Sequence, residues 1–408
     1  MFAWHETTRK LFCRGTFWLL GVLPAVAIAV AAYGLRTDAV RQVCQQVLSL
    51  QLGIEISCQQ VTFPHPKQVR FVEVALIDPE TGDTLARAQS ATITRDEQHM
   101  TIELAEPQVV AGNIGTVYEL ASRTLRAGKP GNRLSLLADT FTVELAGKQQ
   151  MACERLRGQW DFTAEAAQVL VEFTPVVREA SSPVTLRVVR NRQTTPASLG
   201  FELNTGKAGL PVQLAAALLP SVESLGLAAQ FQGAAWGVLG AKGWSGEARG
   251  TFTGVKLGQL AAVPFGEGIA GRATLRIESA RLTDDCLSQL QGTLVANDGT
   301  IDGALVQRLA NRWGLVSPRG QGAPLNHALP YSELAASFTL DQRGLQLAGN
   351  CQTGTAGTLL IDRNGRPLLA TEAPRQLSFA AVESVIYETR GPLLGVLPVR
   401  ERGANTLR

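Results

Sequence analysis

Five short stretches of this chain share one pattern, an apolar residue at every second position with polar residues between. In MTIELAE, Met100, Ile102 and Leu104 alternate with Thr101 and Glu103, and in FTVELAG, Phe141, Val143 and Leu145 alternate with Thr142 and Glu144. VTLRVVR sets Val184, Leu186 and Val188 against Thr185 and Arg187, and ATLRIES sets Ala273, Leu275 and Ile277 against Thr274, Arg276 and Glu278. In LAASFTLD, Leu334, Ala336, Phe338 and Leu340 oppose Ser337, Thr339 and Asp341. A period of two belongs to strands, because successive side chains leave opposite faces. A chain that repeats it this often must build sheet with one apolar and one polar face, and something has to cover the apolar one.

The same pattern opens earlier as a hairpin, QVRFVEVALIDPETGDTLARAQSATI, folded about Asp78 to Asp83. Val72, Val74 and Leu76 make one predicted apolar row, and Ala86, Ala88 and Ser90 face it with small side chains. The 408 residues include 40 Gly and only 18% charged residues, which suits many short strands and tight turns. Helical spacing is rarer. TDAVRQVCQQVLSL places Val40, Val43, Val47 and Leu48 on one side of a helix over 37–52, which either plugs the first end of the sheet or lies on lipid. IGTVYELASRTLRAG, PVQLAAALLPSVESLG and GALVQRLANRWGL read as short apolar-faced helices between strand groups, covers or crossovers rather than a parallel α/β alternation. The expected organisation is a stub and membrane anchor over 1–36, the helix over 37–52, a β region with an inserted helix over 53–205, a second β region with short helices over 206–390, and a tail over 391–408. The fold class is mainly β after one transmembrane helix, and alternation leaves two forms of the sheet open: a closed sandwich or barrel that buries its apolar face against itself, or an extended, curled antiparallel sheet with a hydrophobic groove.

The anchor is the uncharged run GTFWLLGVLPAVAIAVAAYGL, from Gly15 to Leu35, preceded by Arg9, Lys10 and Arg14 and closed by Arg36. At about 1.5 Å per residue it just spans a hydrocarbon core of about 30 Å. The positive flank holds the N-terminus in the cytoplasm and sends the rest across, so the expected location is the inner membrane, single-pass, with the C-terminal bulk in the periplasm. A cleaved signal peptide is the alternative, with Ala29, Ala31 and Ala32 as the processing site.

Residues for chemistry are scarce. The four histidines and six cysteines show no Cys-x-x-Cys pair and no metal-ligand spacing, so no catalytic residues, no metal and no cofactor are assigned. Cys286 and Cys351 both fall in the second β region and could pair as a disulfide in an oxidising compartment, against a buried free thiol as the default state of each. GWSGE lacks the Gly-x-Ser-x-Gly order of a nucleophile elbow. DPETGD and NDGTIDG read as turns before metal loops. A net charge of +3, dispersed along the chain, excludes a nucleic-acid footprint.

The order of anchor, short helix, LGIEISCQQVTF and VRFVEVALIDPETGDTLARAQSATI resembles the N-terminal part of bacterial AsmA-like proteins of the AsmA/TamB type. LPYSELAASFTLDQRGLQLAGNCQTGTAGTLLID is similar to that family's late β stretch. The resemblance covers both ends and only loosely the middle, where Met151 to Ala180 matches nothing in it. It implies a membrane-anchored envelope protein with a taco-like sheet whose apolar groove binds or moves phospholipid, and no catalytic residues. The residues expected to face acyl chains are Val72, Val74, Leu76, Ile102, Leu104, Val143, Leu145, Leu275, Ile277, Phe338 and Leu340. The partners expected are membrane lipid and an envelope protein; a non-catalytic scaffold is the alternative, docking through sheet edges and the helices around 212–225 and 305–315.

Overall fold

The computed structural model describes residues 38–378 apart from 53–54, 79–80, 114, 117–124, 127, 177–181, 196, 217–219, 241, 266–267 and 318–326. The predicted anchor over 15–35 and the tail over 391–408 lie outside the described residues, as does most of IGTVYELASRTLRAG. Among the described residues no helix is long and apolar enough to cross a membrane.

All twenty-one strands belong to one sheet. At the first edge β1 (Glu55–Ser57) and β2 (Gln60–His65) both pair with β3 (Gln68–Ile77). Next come β4 (Thr84–Arg95), then β5 (His99–Ala105) and β6 (Gln108–Val110) side by side, then β7 (Arg133–Glu144). The ladder continues through β8 (Gln150–Phe162), β9 (Ala166–Pro175), β10 (Val184–Asn191) and β11 (Ser198–Asn204). β11 and the short β12 (Leu210–Pro211) pair with β13 (Gln230–Gly240). β14 (Gly243–Lys256), β15 (Ile269–Thr283), β16 (Cys286–Asp302) and β17 (Ala328–Asp341) follow in order. Beyond β17 lie β18 (Gly344–Gly349) with β21 (Arg375–Leu377), and β19 (Thr358–Asp362) with β20 (Pro367–Ala370).

One feature differs from the sequence reading. The sheet is mixed rather than antiparallel, because β5 and β6 run parallel to β7. A parallel step needs a crossover of a dozen or more residues, and the connection from Ala111 to Asn132 supplies it. The sheet runs on from β11 to β13, where Leu203 faces Ala235 directly.

Four helices are described: α1 (Asp38–Leu52), α2 (Gln213–Ala216), α3 (Leu257–Phe265) and α4 (Gly303–Trp313). The reasons α4 forms are legible in its ends. Asp302 caps it by accepting a 3.1 Å bond from the Ala304 amide, and Gly314 stops it in the left-handed region at φ 58°. Between them Leu305, Val306 and Trp313 form the buried stripe. With Leu257 of α3 and Leu225, they join Ala273, Ala296, Ile301, Tyr331 and Leu360 in the largest core of the molecule. The covering role expected of PVQLAAALLPSVESLG and GALVQRLANRWGL is therefore what these segments perform. Their apolar residues Val212, Leu225, Leu305, Val306 and Leu315 are spent inside, which removes these side chains as outward docking faces.

The predicted disulfide does not form. Cys286 and Cys351 are both free, the first exposed and the second half-buried. Cys286 opens β16 at the Asp284–Asp285 turn, whereas the Cys351 thiol lies 3.9 Å from the carbonyl of Glu333, whose register partner on β16 is Asn297. Eleven positions of strand (286 to 297) hold the two apart, about 35 Å at about 3.3 Å per residue.

Candidate functional site

Cross-strand partners in a ladder share a face, so the register can be followed strand by strand. Starting from Val69 on β3, the partners are Ile93, Ile102, Leu136, Gly158, Val171, Leu186 and Leu203. From there the same row continues through Ala235, Ala248, Ala280, Leu290, Leu340 and Leu345 to Leu377 on β21. No polar residue interrupts it from one side of the sheet to the other.

A second row two residues away runs Met100, Leu134, Trp160, Val169, Val188, Phe201, Gly237, Gly246, Leu282 and Leu287. The intervening positions are mostly polar: Thr101, Ser135, Gln159, Leu170, Arg187, Glu202, Trp236, Glu247 and Arg281 are successive partners on the other face, with Leu170 and Trp236 the two apolar members. A polar cleft of about 330 Å³ lies on that other face, between Gln291, Thr293, Ser337, Thr339 and Gln346.

Apart from the buried Gly158 and Leu377, the first row is half-buried along its length, neither shut away nor fully wet. Three glycines of the apolar face are overlaid by rings. A Cβ built on Gly237 would meet the Phe201 ring at 2.6 Å, one on Gly158 the Trp160 ring at 2.7 Å, and one on Gly292 the Phe338 ring at 3.0 Å. Backbone stands just as close, with the Arg276 carbonyl 2.3 Å from the Gly292 position, so a side chain there would force neighbouring strands apart. Flat rings on bare backbone keep the face apolar where the sequence shows only glycine.

One side of the face is closed by covering segments. Leu214 of α2 packs over Phe141, Val143, Leu145 and Cys153. Gln213 fixes that cover, accepting from the Ala146 amide at 2.8 Å and donating to the Leu227 carbonyl at 2.7 Å. Helices α3 and α4 cover the β14–β17 side of the same face, and Cys44 of α1 packs against Val61, Phe71 and their neighbours. Ala111 and Leu125, the described ends of the crossover, sit on two of these clusters.

The predicted contact residues sort accordingly. Ile102 and Leu340 lie in the first row, and Leu104 sits beside it, facing Ala91 and Phe71. Leu275 faces Leu294 and Ala336, and Ile277 faces Gly292 and Phe338, which places all four C-terminal candidates on the apolar face. Val143 and Leu145 are on it too, but buried at 6% and 8% exposure beneath Leu214.

The predicted row of Val72, Val74 and Leu76 is broken. Glu73 has a left-handed backbone, φ 51°, which changes the phase of the alternation: Val69 and Phe71 lead to Val74, which packs with them, while Val72 is left on the other face. Leu76 continues the shifted phase, opposite the buried Ile56. Arg155, φ 55°, does the same to β8. Sequence reading missed Val69, Leu136, Val171, Leu203 and Leu290. Leu203 was legible in FELN, but Ala235 in FQGAAWGVLG was not, because glycine and alanine dilute the period.

The buried polar groups are structural. Tyr331 has no exposed surface, donates a 2.9 Å bond to the Ala270 carbonyl, and is pushed up to about 12 by burial and by Asp298. Among the described residues there is no group of three His, Cys, Asp or Glu that could hold a metal ion. No family model, curated protein or solved structure matches the chain.

Proposed function

We propose that this protein is a membrane-anchored lipid-binding protein of AsmA-like type, in which the sheet curls about its apolar face to make a groove for acyl chains. The observation that carries the reading is the unbroken, half-exposed first row. A folded chain in water does not keep such a row open across a whole sheet without an apolar occupant. The row's span, about 65 Å at about 4.8 Å per strand, exceeds any single acyl chain, so it suits passage along the sheet as well as binding. Residues 15–35 then serve as the inner-membrane anchor, with the sheet in the periplasm and phospholipid as cargo supporting envelope biogenesis. The scaffold reading retains one observation, the strands β1–β2 and β20–β21, which have no further partner strand among the described residues.

The test is crosslinking. Full-length protein in mild detergent is mixed with a photo-reactive phosphatidylglycerol, illuminated and mapped by peptide mass spectrometry. Adducts are expected on β5, β7, β11 and β13, and Leu203→Glu should remove them while leaving the melting temperature within a few degrees. Adducts confined to residues 15–35 would sink the proposal.

A further inference from the structure

Two residues beyond the second row, a third begins: Phe162, Ala167, Arg190, Leu199, Leu239 and Trp244. The second row itself starts with Arg95, the partner of Met100. Across all three rows the charged side chains are these two arginines, and there is no acid. Both lie along the same margin, where β4 and β10 end and β5, β7, β9 and β11 begin.

Arg190 is the more informative. Its cross-strand neighbours are Ala167, with no exposed surface, and Leu199, and its neighbour along the strand on this face is the buried Val188. The arginines around it are satisfied. Arg187 donates to Gln168 at 3.1 Å, Arg133 pairs with Asp161 at 3.3 Å, and Arg192 donates to the carbonyls of Leu125, Gly128 and Thr163. Arg190 is half-buried and makes none of the described hydrogen bonds or ion pairs. Its guanidinium nitrogens are not shut away from water, and because the group cannot lose its proton it stays a charged donor open to an anion from outside the fold.

What adjoins it is an open apolar floor. Phe201 meets Trp244 edge to face at 5.6 Å and lies over Gly237, and Leu239 is 37% exposed. At this margin Asp285 is engaged by the Trp244 amide at 2.9 Å, three strands from Arg190, and Asp161 is paired with Arg133.

Resting on the groove reading, we propose that Arg190 holds the phosphate of an anionic amphiphile whose acyl chain lies on the Leu199, Phe201, Leu239 and Trp244 floor. The guanidinium fork presents paired N–H donors to two phosphate oxygens, a geometry lysine does not reproduce. The shared chemistry is a phosphate; the adjoining floor selects the lipid-borne one over the free ion.

The experiment uses the full chain in mild detergent with two photo-reactive probes of equal acyl length, phosphatidylglycerol and uncharged diacylglycerol, and with inorganic phosphate as competitor. Arg190→Gln should cut phosphatidylglycerol capture about tenfold and leave diacylglycerol capture unchanged. Arg190→Lys should restore it only in part, and Arg187→Gln on the polar face should change neither. Millimolar inorganic phosphate should fail to displace the lipid.

Equal loss of both probes in Arg190→Gln, or loss of neither, overturns the proposal while the groove stands. So does displacement by inorganic phosphate, which would make the free ion the ligand. Capture of neither probe by the wild-type chain fails the groove reading itself. Thermal melting of each variant separates loss of binding from loss of fold.

Discussion

The two ends of the sheet carry the same alternation and close it differently. From β13 onward one core gathers residues from α3, α4 and seven strands, with Leu360 and Tyr331 wholly buried at its centre. Before β13 the apolar side chains fall into four smaller clusters, each with its own local cover: Cys44 of α1, Leu214 of α2, Leu125 and Leu210. Two of the described covers show the difference. Eleven residues of α4 with a capped start and a left-handed stop can shut several strands at once, whereas the four residues of α2 shut one patch. An alternating pattern therefore specifies a face, and the intervening helices decide how much of it stays open.

Single truncations should expose this contrast most strongly. Leu360→Ala, at a site with no exposed surface, is expected to cost about 3 kcal/mol through lost burial and the cavity left behind. Ile102→Ala, in the half-buried first row, should cost about 1 kcal/mol, because part of that side chain is already wet. Urea titrations of the two variants measure the ratio. Equal costs would mean that the first row is closed in solution, and the difference between the halves would disappear.

Glu333 tests how the C-terminal core is tied to its loop. It is 9% exposed and accepts from the Gln352 amide at 2.8 Å, the Thr353 hydroxyl at 2.8 Å and the Thr353 amide at 3.4 Å. Burial alone would raise its pKa, but these donors outweigh it and hold the group below its ordinary 4.5. A depressed carboxylate contributes stability that is complete above its unfolded value and is lost as pH falls through the folded one. Glu333→Gln should accordingly lower stability at pH 7 by about 2 kcal/mol, and the gap to wild type should close as pH falls below the ordinary 4.5 and on through the lowered folded value. A gap that persists at pH 3 would assign the effect to shape rather than charge. Among the described residues the carboxylate lowered before β13, Asp96 beside Lys67, is fully exposed, so the acid sensitivity of the buried packing should reside mainly in the C-terminal half.

Much of this was readable in advance, for a physical reason. MTIELAE, ATLRIES and LAASFTLD alternate large apolar with polar residues, and the period of two survived into the register of Ile102, Leu275, Phe338 and Leu340. Val72 failed because one left-handed residue, Glu73, reverses the phase, and nothing in VRFVEVALI marks a glutamate for that conformation. The parallel step at β7 was invisible for another reason. Alternation is blind to strand direction, and the crossover that permits it looks in sequence like any inserted helix. The continuity of the rows was hidden where Gly158 and Gly237 stand, since a ring contributed by another residue supplies their apolar surface.

The cysteines offer the finest reading of the same contrast. Cys153 is 1% exposed under the Leu214 patch, and burial raises its thiol to about 12. Cys351, in the other half, is half-buried, and burial lifts it to about 11 despite a hydrogen bond to Ala335 that works the other way. Cys286 is exposed on its hairpin. Alkylation at pH 8 under native conditions, read by peptide mass spectrometry, should label Cys286 first, then Cys351, and Cys153 last, with Cys286 ahead of Cys153 by at least about a hundredfold, since the thiolate is the reactive form. Failure of Cys286 and Cys351 to label even after unfolding would restore the disulfide. If Cys153 overtakes Cys351, the Leu214 patch opens on its own, well below the energy of global unfolding. The face before β13 would then admit an occupant across the full width from Val143 to Trp160, rather than along the first row alone.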